Sequence, residues 1–174
     1  MIRAILPALA SLILCSCAGT LVHAPKTVPS VDLNRYAGEW YEIESFPTWF
    51  QRGCERSKAV YTPQPDGSVK VVNTCDRRGK AASVEGTARV VPGSNNSKLK
   101  VRFFGPFEGD YWILDLDPDY RWAAVGSPNR RYLWILSRVA QIDPALLGSI
   151  RARLAAQGFD VSRLRPTSPA AAAP

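Results

Sequence analysis

The segment RYAGEWYEI at residues 35–43 begins the folded part of the chain and opens a series of strand-like runs. Its glycine suits a sharp change of direction, and its aromatic and β-branched residues favour extended structure. Turn residues such as Asp66-Gly67 separate the runs that follow. The eight runs span 40–45, 57–62, 68–74, 83–91, 98–103, 111–116, 122–126 and 132–137. This series predicts an all-β fold: an eight-stranded antiparallel up-and-down barrel, with a two-sheet sandwich as the alternative.

The hydrophobic period changes to that of a helix after the eighth run. Asp143 is a good N-cap, Pro144 suits the first helical position, and Gly158 favours a stop. Four apolar residues fall on one helical face: Leu146, Leu147, Ile150 and Leu154. We therefore expect one C-terminal α-helix over 143–157, packed outside the barrel, and a short ninth strand over 159–164. The barrel domain is then 32–165, and the Pro- and Ala-rich residues 166–174 form a disordered tail.

The N-terminus has the pattern of an exported lipoprotein. Arg3 precedes an apolar stretch too short to remain as a transmembrane helix, so residues 1–16 are predicted to be a signal peptide. LCSC at 14–17 resembles the bacterial lipobox and predicts that Cys17 is acylated, which would anchor the protein in the outer membrane. The alternative is an ordinary signal peptide followed by an unmodified cysteine. Residues 17–31 are interpreted as the lipidated N-terminus and a flexible tether.

Composition restricts the chemistry of the barrel. The single histidine, His23, falls in the tether, so a catalytic site built on an imidazole is excluded from the barrel. Cys15 leaves with the signal peptide and Cys17 is acylated, so Cys54 and Cys75 remain as a favoured disulfide in an oxidising compartment. The formal net charge of +7 indicates anionic partners. Nucleic acid is disfavoured as a partner because the chain is exported and lacks a nucleic-acid-binding motif.

Three segments together resemble the lipocalin family. Gly38-x-Trp40 looks like its first signature, DPDY at 117–120 like its second, and YLWILSR at 132–138 like its third. The resemblance covers about residues 32–164 and is closest to the group of bacterial outer-membrane lipocalins, apolipoprotein D and the plant temperature-induced lipocalins. It implies that the guanidinium of Arg138 lies over the Trp40 indole. The residues expected to meet and close one end of the barrel are Gly38, Trp40, Asp119, Tyr120 and Arg138.

The resemblance also implies a function. It suggests a membrane-anchored protein that binds, stores or transports fatty acids, lysophospholipids or similar hydrophobic ligands in the barrel, in envelope maintenance or stress response. The lack of a histidine in the barrel and the paired cysteines weigh against enzymatic activity, and no cofactor is expected. An enzyme built on the same barrel and acting on a lipid or other hydrophobic substrate is the alternative. The expected partners are this ligand and, through Cys17, the membrane, and we expect a monomer or a weak homodimer.

Side-chain alternation along the runs selects candidate residues for the ligand cavity. An inward Trp40 places Glu42 on the same face, where its charge requires a structural ion pair or a polar ligand contact. Aromatic residues at the rim, such as Phe103, are expected to line the entrance or to touch the membrane. The ligand-binding candidates of the strands are Glu42, Val60, Val71, Val84, Ala88, Phe103, Tyr111, Tyr132 and Trp134.

Successive loops of a meander alternate between the two ends, so 46–56, 75–82, 104–110 and 127–131 are expected at the open end. They carry seven Lys and Arg against four Asp and Glu. This excess predicts attraction of an anionic head group, with Arg77 and Arg78 as ligand contacts; a merely solvated rim is the alternative. The Cys54–Cys75 pair falls at the same end. The acidic residues near 115–119 lack the Gly and Glu of a calcium loop, so no metal site is expected.

Overall fold

Hairpin connections join the first eight strands of the computed structural model, which describes residues 23–167. The strands are β1 (Gly38–Ser45), β2 (Cys54–Pro63), β3 (Val69–Arg77), β4 (Lys80–Val90), β5 (Lys98–Phe104), β6 (Phe107–Leu116), β7 (Trp122–Gly126) and β8 (Leu133–Ser137). Each strand pairs antiparallel with the next, and β1 pairs with both β8 and β2. The sheet therefore closes on itself, which confirms the predicted barrel and excludes the sandwich.

The connections gather at two ends. Those at 46–53, 78–79, 105–106 and 127–132 form the mouth, and those at 64–68, 91–97 and 117–121 form the closed end, next to the short helix α1 (Leu33–Tyr36). Two of the mouth connections are shorter than the sequence predicted. Strands β3 and β4 extend to Arg78-Gly79, and β6 starts at Phe107, because hairpin pairing continues to the turn.

Two hydrophobic clusters lie on opposite faces of the barrel wall. The inner cluster fills the closed half of the barrel and includes Trp40, Tyr61, Val71, Leu99 and Ile113. The outer cluster lies between the wall and the C-terminal helix, and includes Leu114, Trp122, Leu133, Ile150 and Leu154. Neighbours such as Ile113 and Leu114 thus face opposite sides, as strand alternation requires.

The C-terminal helix α2 (Pro144–Ala156) covers one side of the barrel, as predicted. The carboxylate of Asp143 accepts a hydrogen bond from Leu146 N (2.9 Å) and caps its first turn. Ion pairs attach the helix to the wall, because Arg151 donates to the buried carboxylate of Glu44 and Arg153 to Asp115. No helix of residues 23–167 combines the length and the apolar character needed to cross a membrane.

A ninth strand follows the helix, later in the chain than predicted. Residues of the expected strand 159–164 form a single turn, Val161–Arg163, and β9 is Arg165–Pro166, which pairs with Glu44 and Ser45 of β1. Thr167 continues this contact by donating its N–H to Ile43 O (2.9 Å). The start of the predicted tail is therefore part of the barrel wall; residues 168–174 lie outside the described residues.

The N-terminal segment packs along the barrel, in contrast to the expected flexible tether. Val28 N donates to Ile113 O (3.0 Å), and Val31 N donates to Asn95 O (3.0 Å). Val31 is 3% exposed and belongs to the inner cluster. Apolar side chains and free backbone groups at the wall thus order this part of the segment. The predicted signal peptide and Cys17 lie outside the described residues.

Candidate binding site in the barrel

The closed end is built around one arginine. The guanidinium carbon of Arg138 lies 3.8 Å from the centroid of the fully buried Trp40 ring. The same guanidinium donates to Glu39 O and Arg35 O at 2.8 Å, and to the carbonyls of Tyr36 and Tyr120 at 3.2 Å. Burial lowers the pKa of Arg138, and the four carbonyl acceptors compensate for the lost hydration. Arg138 thus connects the chain before β1, the β6–β7 turn and the end of β8.

A glycine permits this close approach. Gly38 has a φ of +95°, and a Cβ at this position would lie 3.4 Å from Arg138 Nη1. A side chain at this position would therefore strain the backbone and lie in contact with the guanidinium. Trp40 is held by its indole N–H, which donates to Tyr36 O at 2.8 Å.

The β6–β7 turn contributes Tyr120, as expected, but Asp117 takes the structural position expected for Asp119. The Tyr120 hydroxyl accepts from Asp32 N (2.9 Å), and its ring lies under the guanidinium of Arg35. The side chain of Asp119 is 75% exposed. Asp117 is buried and accepts from the N–H groups of Asp119 and Arg121 and from the Arg121 guanidinium, which holds its pKa below the usual range. In a four-residue turn the first carboxylate faces the backbone N–H groups, so the third remains in solvent.

Three tyrosine hydroxyls form a chain inside the barrel. Tyr111 donates to Tyr61 Oη (2.8 Å), and Tyr36 Oη lies 2.8 Å from Tyr111 Oη. Since a phenol has one proton, Tyr36 is the donor in the second bond. Burial raises the pKa of Tyr61 to about 12 and the pKa values of Tyr36 and Tyr111 well above their ordinary value. The tyrosines border a cavity of about 10 Å³, roughly the space of one water molecule.

The interior becomes more accessible toward the mouth. Val71 and Ala88, in the closed half, are 2% and 1% exposed. Val84, Phe103 and Trp134 lie on the inner face nearer the mouth and are only half-buried. Of the other candidates, Tyr111 packs against the inner cluster, and Tyr132 stacks on Trp134 with an interplanar angle of 10°.

Val60 is the exception and lies on the outer face. Its neighbours Ala59 and Tyr61 belong to the inner cluster, so strand alternation turns Val60 outward. The sequence of β2 mixes apolar and polar residues on both of its faces, so its orientation could not be decided from local pattern.

Glu42 accepts hydrogen bonds from neutral side chains in place of the structural ion pair that was one expectation for it. Ser45 Oγ and Thr167 Oγ1 donate to its Oε1, and Gln51 Nε2 donates to its Oε2, all at 2.7 Å. Gln51 Oε1 in turn accepts from the indole N–H of Trp134 (3.2 Å). This network fixes the first mouth connection to the inner wall and spreads the carboxylate charge over three donors.

A cleft lies where β1 and β2 separate. Their pairing ends at Tyr41 and Lys58, because β2 has an irregularity between Glu55 and Lys58. The cleft has a volume of about 750 Å³, and its lining includes Glu42 and Cys75 of the inner face and Lys58 of the outer face. It therefore lies across the gap in the wall, which the C-terminal residues around Thr167 partly cover.

The basic residues of the mouth fall into two groups. Arg56 pairs with Asp76, Arg77 donates to Phe50 O (2.8 Å), and Arg130 donates to Gln157 O (2.8 Å), so these three have structural partners. A second group has exposed side chains to which the structure gives no hydrogen bond or ion pair within residues 23–167: Arg52, Arg78, Lys80 and Arg131. Arg77 thus holds the first connection, whereas Arg78 remains available to an anionic group.

The predicted disulfide joins β2 and β3 at the mouth. Cys54 and Cys75 are bonded, with Cα atoms 5.4 Å apart. The bridge lies beside the β2 irregularity, where regular pairing is interrupted. It therefore holds the start of β2 to the wall next to the point where regular pairing is interrupted.

Several site residues were not predicted from the sequence because their partners are distant in the chain. Tyr36 and Tyr61 are separated from Tyr111 by 75 and 50 residues, and Gln51 from Trp134 by 83. Tyr61 alone had a local indication of its orientation, because it is two residues from the apolar Ala59 and therefore on the same face of β2. Within residues 23–167 there is no group of three metal-ligating side chains; Asp115 and Asp117 instead accept hydrogen bonds from arginines.

Comparison with known proteins gives consistent matches along the chain. A family model described as a lipocalin-like domain matches residues 31–169. Temperature-induced lipocalin-1 of Arabidopsis thaliana is 40% identical over 151 residues, 82% of this chain and 81% of that protein. Outer membrane lipoprotein Blc of Vibrio cholerae is 38% identical over 165 residues, 93% and 96% of the two chains. The structure of insecticyanin from the tobacco hornworm Manduca sexta shares the fold, with a TM-score of 0.69 at 20% identity over 84% and 85% of the chains.

Proposed function

Because the chain belongs to the lipocalin family, we propose that it binds fatty acids, lysophospholipids or similar lipids in the mouth half of its barrel. Eight-stranded barrels of this family enclose space for one small ligand. The proposed role is storage or transport of such lipids in maintenance of the bacterial envelope or in its stress response. Binding would be reversible, with each buried methylene contributing about 0.8 kcal/mol.

The observation that carries the proposal is the graded exposure of the inner wall. Apolar side chains are packed to a few per cent exposure in the closed half, whereas Val84, Phe103 and Trp134 remain half-buried. Half-buried apolar side chains inside a barrel favour an apolar ligand over water. Arg78 and the other unpaired cations of the mouth would then face the carboxylate or phosphate of the ligand.

Cavity filling tests the site. Val84→Trp places an indole on the inner wall, and we expect it to weaken binding of a fluorescent fatty acid at least tenfold. Val60→Trp is the matched control, since Val60 is on the outer face, and it should bind as the parent does. Unfolding midpoints of both variants separate binding from folding. Equal affinities for folded Val84→Trp and Val60→Trp would refute the proposed site.

We also propose that Cys17 is acylated and anchors the protein in the outer membrane. The lipobox-like LCSC at 14–17 supports this, as does the name of the Vibrio cholerae relative, an outer membrane lipoprotein. Mass spectrometry of the mature N-terminus from bacterial membranes should show an acylated Cys17. A mature N-terminus with a free Cys17 thiol would contradict the anchor without affecting the cavity.

We propose binding and not catalysis. The one histidine of the chain is on the outside of the barrel, where its carbonyl accepts from Arg130 Nη2 (2.6 Å). The raised pKa values of Tyr36, Tyr61 and Tyr111 keep these phenols neutral, so none supplies a nucleophile at neutral pH. Mass spectrometry of lipid released from natively purified protein should recover an intact acyl compound. Recovery of hydrolysed or modified lipid after incubation with a pure lipid would support the enzyme alternative.

A further inference from the structure

Exposed aromatic side chains are concentrated at the mouth. Trp49 and Phe107 are 79% and 80% exposed, Phe104 is 70% exposed and Phe50 is 41% exposed. All four belong to the mouth connections or to the strand residues beside them, whereas Val139 is the one large apolar residue of residues 23–167 that is similarly exposed near the closed end. We propose that the mouth of the barrel docks on the surface of an anionic phospholipid bilayer, with these aromatic rings in the interface.

The aromatic residues on one side of the mouth continue into the barrel. Trp49 and Phe50 contact edge to face at 5.7 Å, Phe50 lies 6.1 Å from Tyr132, and Tyr132 lies 5.8 Å from Trp134. These centroid distances are those of interacting rings. On the other side, Phe103 faces inward against Gly86, next to the exposed Phe104. Docking would therefore place a lipid at the start of a continuous apolar path to the inner wall.

The charge of the mouth indicates which kind of bilayer surface it would bind. The unpaired cations Arg52, Arg78, Lys80 and Arg131 belong to the mouth connections or the strand residues beside them, as do the aromatic tips, with Glu55 as an exposed anion among them. The acidic Asp76 and Glu108 are neutralised by Arg56 and Arg102. Aromatic rings flanked by exposed basic side chains are typical of a surface that binds an anionic membrane interface.

The N-terminal segment approaches the barrel from the mouth. Arg130, in a mouth connection, donates to His23 O, and Lys26 N donates to Gln157 Oε1 (2.9 Å) at the adjacent end of α2. From there the segment runs to Val31 near the closed end. Cys17 is six residues before His23, a reach of at most about 20 Å. An anchor at Cys17, which rests on the proposed function, would therefore hold the mouth close to the membrane.

Fluorophores at the two ends of the barrel test the orientation. The protein purified from bacterial membranes is reconstituted into vesicles of phosphatidylethanolamine and phosphatidylglycerol, with a single label at Glu108→Cys or Val139→Cys. Spin-labelled lipid should quench the label at 108 several-fold more than the label at 139. Adding Trp49→Ser and Phe107→Ser should reduce quenching at 108 to the level at 139, and Val139→Ser should leave it unchanged.

The outcomes separate docking from anchoring. Equal quenching at both positions, in protein that stays with the vesicles in 1 M salt, would overturn the docking proposal and leave the anchor intact. Protein that leaves the vesicles in 1 M salt lacks the anchor. If such protein still binds phosphatidylglycerol vesicles at low salt through Trp49 and Phe107, docking is supported without the anchor. If it does not bind these vesicles, docking is refuted as well.

Discussion

The closed end and the mouth of this barrel use the same residue types in opposite ways. At the closed end, Trp40 is fully buried and Arg138 donates to four backbone carbonyls. At the mouth, Trp49 is 79% exposed and Arg78 has no partner within the described chain. Aromatic and basic residues that are mutually satisfied maintain the fold, whereas those left unpaired remain available to a ligand or a membrane.

The largest expected contrast is between the two tryptophans. Trp40→Ala should reduce the free energy of unfolding by about 3–5 kcal/mol, because it leaves a cavity and removes the cation–π contact of Arg138. Trp49→Ala should change it by less than about 0.5 kcal/mol. Urea unfolding followed by far-UV circular dichroism measures both. A similar loss for the two variants would mean that the mouth also contributes to stability.

Removing the disulfide measures how much the covalent bridge stabilises the fold and whether it also shapes the entrance. The Cys54→Ser/Cys75→Ser double variant should lose about 2–4 kcal/mol of unfolding free energy, since the bridge closes a loop between cysteines that are 21 positions apart in the sequence. The parent protein under reducing conditions is the control and should lose a similar amount. Unchanged affinity for fatty acid in the folded double variant would indicate a stabilising bridge, and weaker affinity would indicate that it shapes the entrance.

At alkaline pH a smaller effect, per tyrosine and per pH unit, is expected from the tyrosine chain. The unfolded chain releases phenolic protons near pH 10, whereas burial raises the pKa of Tyr61 to about 12 and those of Tyr36 and Tyr111 well above 10. Stability should therefore be fully present below pH 10 and fall above it, by about 1.4 kcal/mol per pH unit for each tyrosine.

Tyr111→Phe isolates this contribution. It should lose about 1–2 kcal/mol at pH 7, because two hydrogen bonds are removed, and its stability should fall less steeply between pH 10 and 12. Urea unfolding at several pH values measures both the loss of stability at pH 7 and its slope between pH 10 and 12. Parallel pH profiles for the variant and the parent would show that this phenol does not control the alkaline loss.

Much of the fold could be predicted because its signals are local. Alternating strands, turn residues and the N-cap at Asp143 each act within a few residues, and the closed barrel and α2 confirm them. The lipocalin resemblance, carried by Gly38, Trp40 and Arg138, is confirmed by the family match. The disulfide was predictable because the predicted signal peptide and acylation account for Cys15 and Cys17, which leaves Cys54 and Cys75 as a pair.

Contacts between distant segments could not be predicted in the same way. The orientation of Val60 depends on which face of β2 meets Trp40, and the position of β9 depends on the gap left between β1 and β2. The packing of residues 25–31 on the wall likewise needed the barrel to exist first. When both faces of a strand contain apolar and polar residues, the alternation does not show which face points into the barrel.

Local pattern was thus sufficient for the order of the strands, the outer helix and the two ends of the barrel. Tertiary structure decided which polar groups are satisfied: Arg138 with the Arg35 carbonyl 103 residues away, Glu42 with Thr167 125 residues away, and Asp117 in place of Asp119. It also left Trp49 and Phe107 exposed at the mouth, and Arg78 without a hydrogen bond or ion pair within residues 23–167. The physical reason is that a buried polar group is stable only beside its acceptor or donor, and closure of the barrel determines which groups meet.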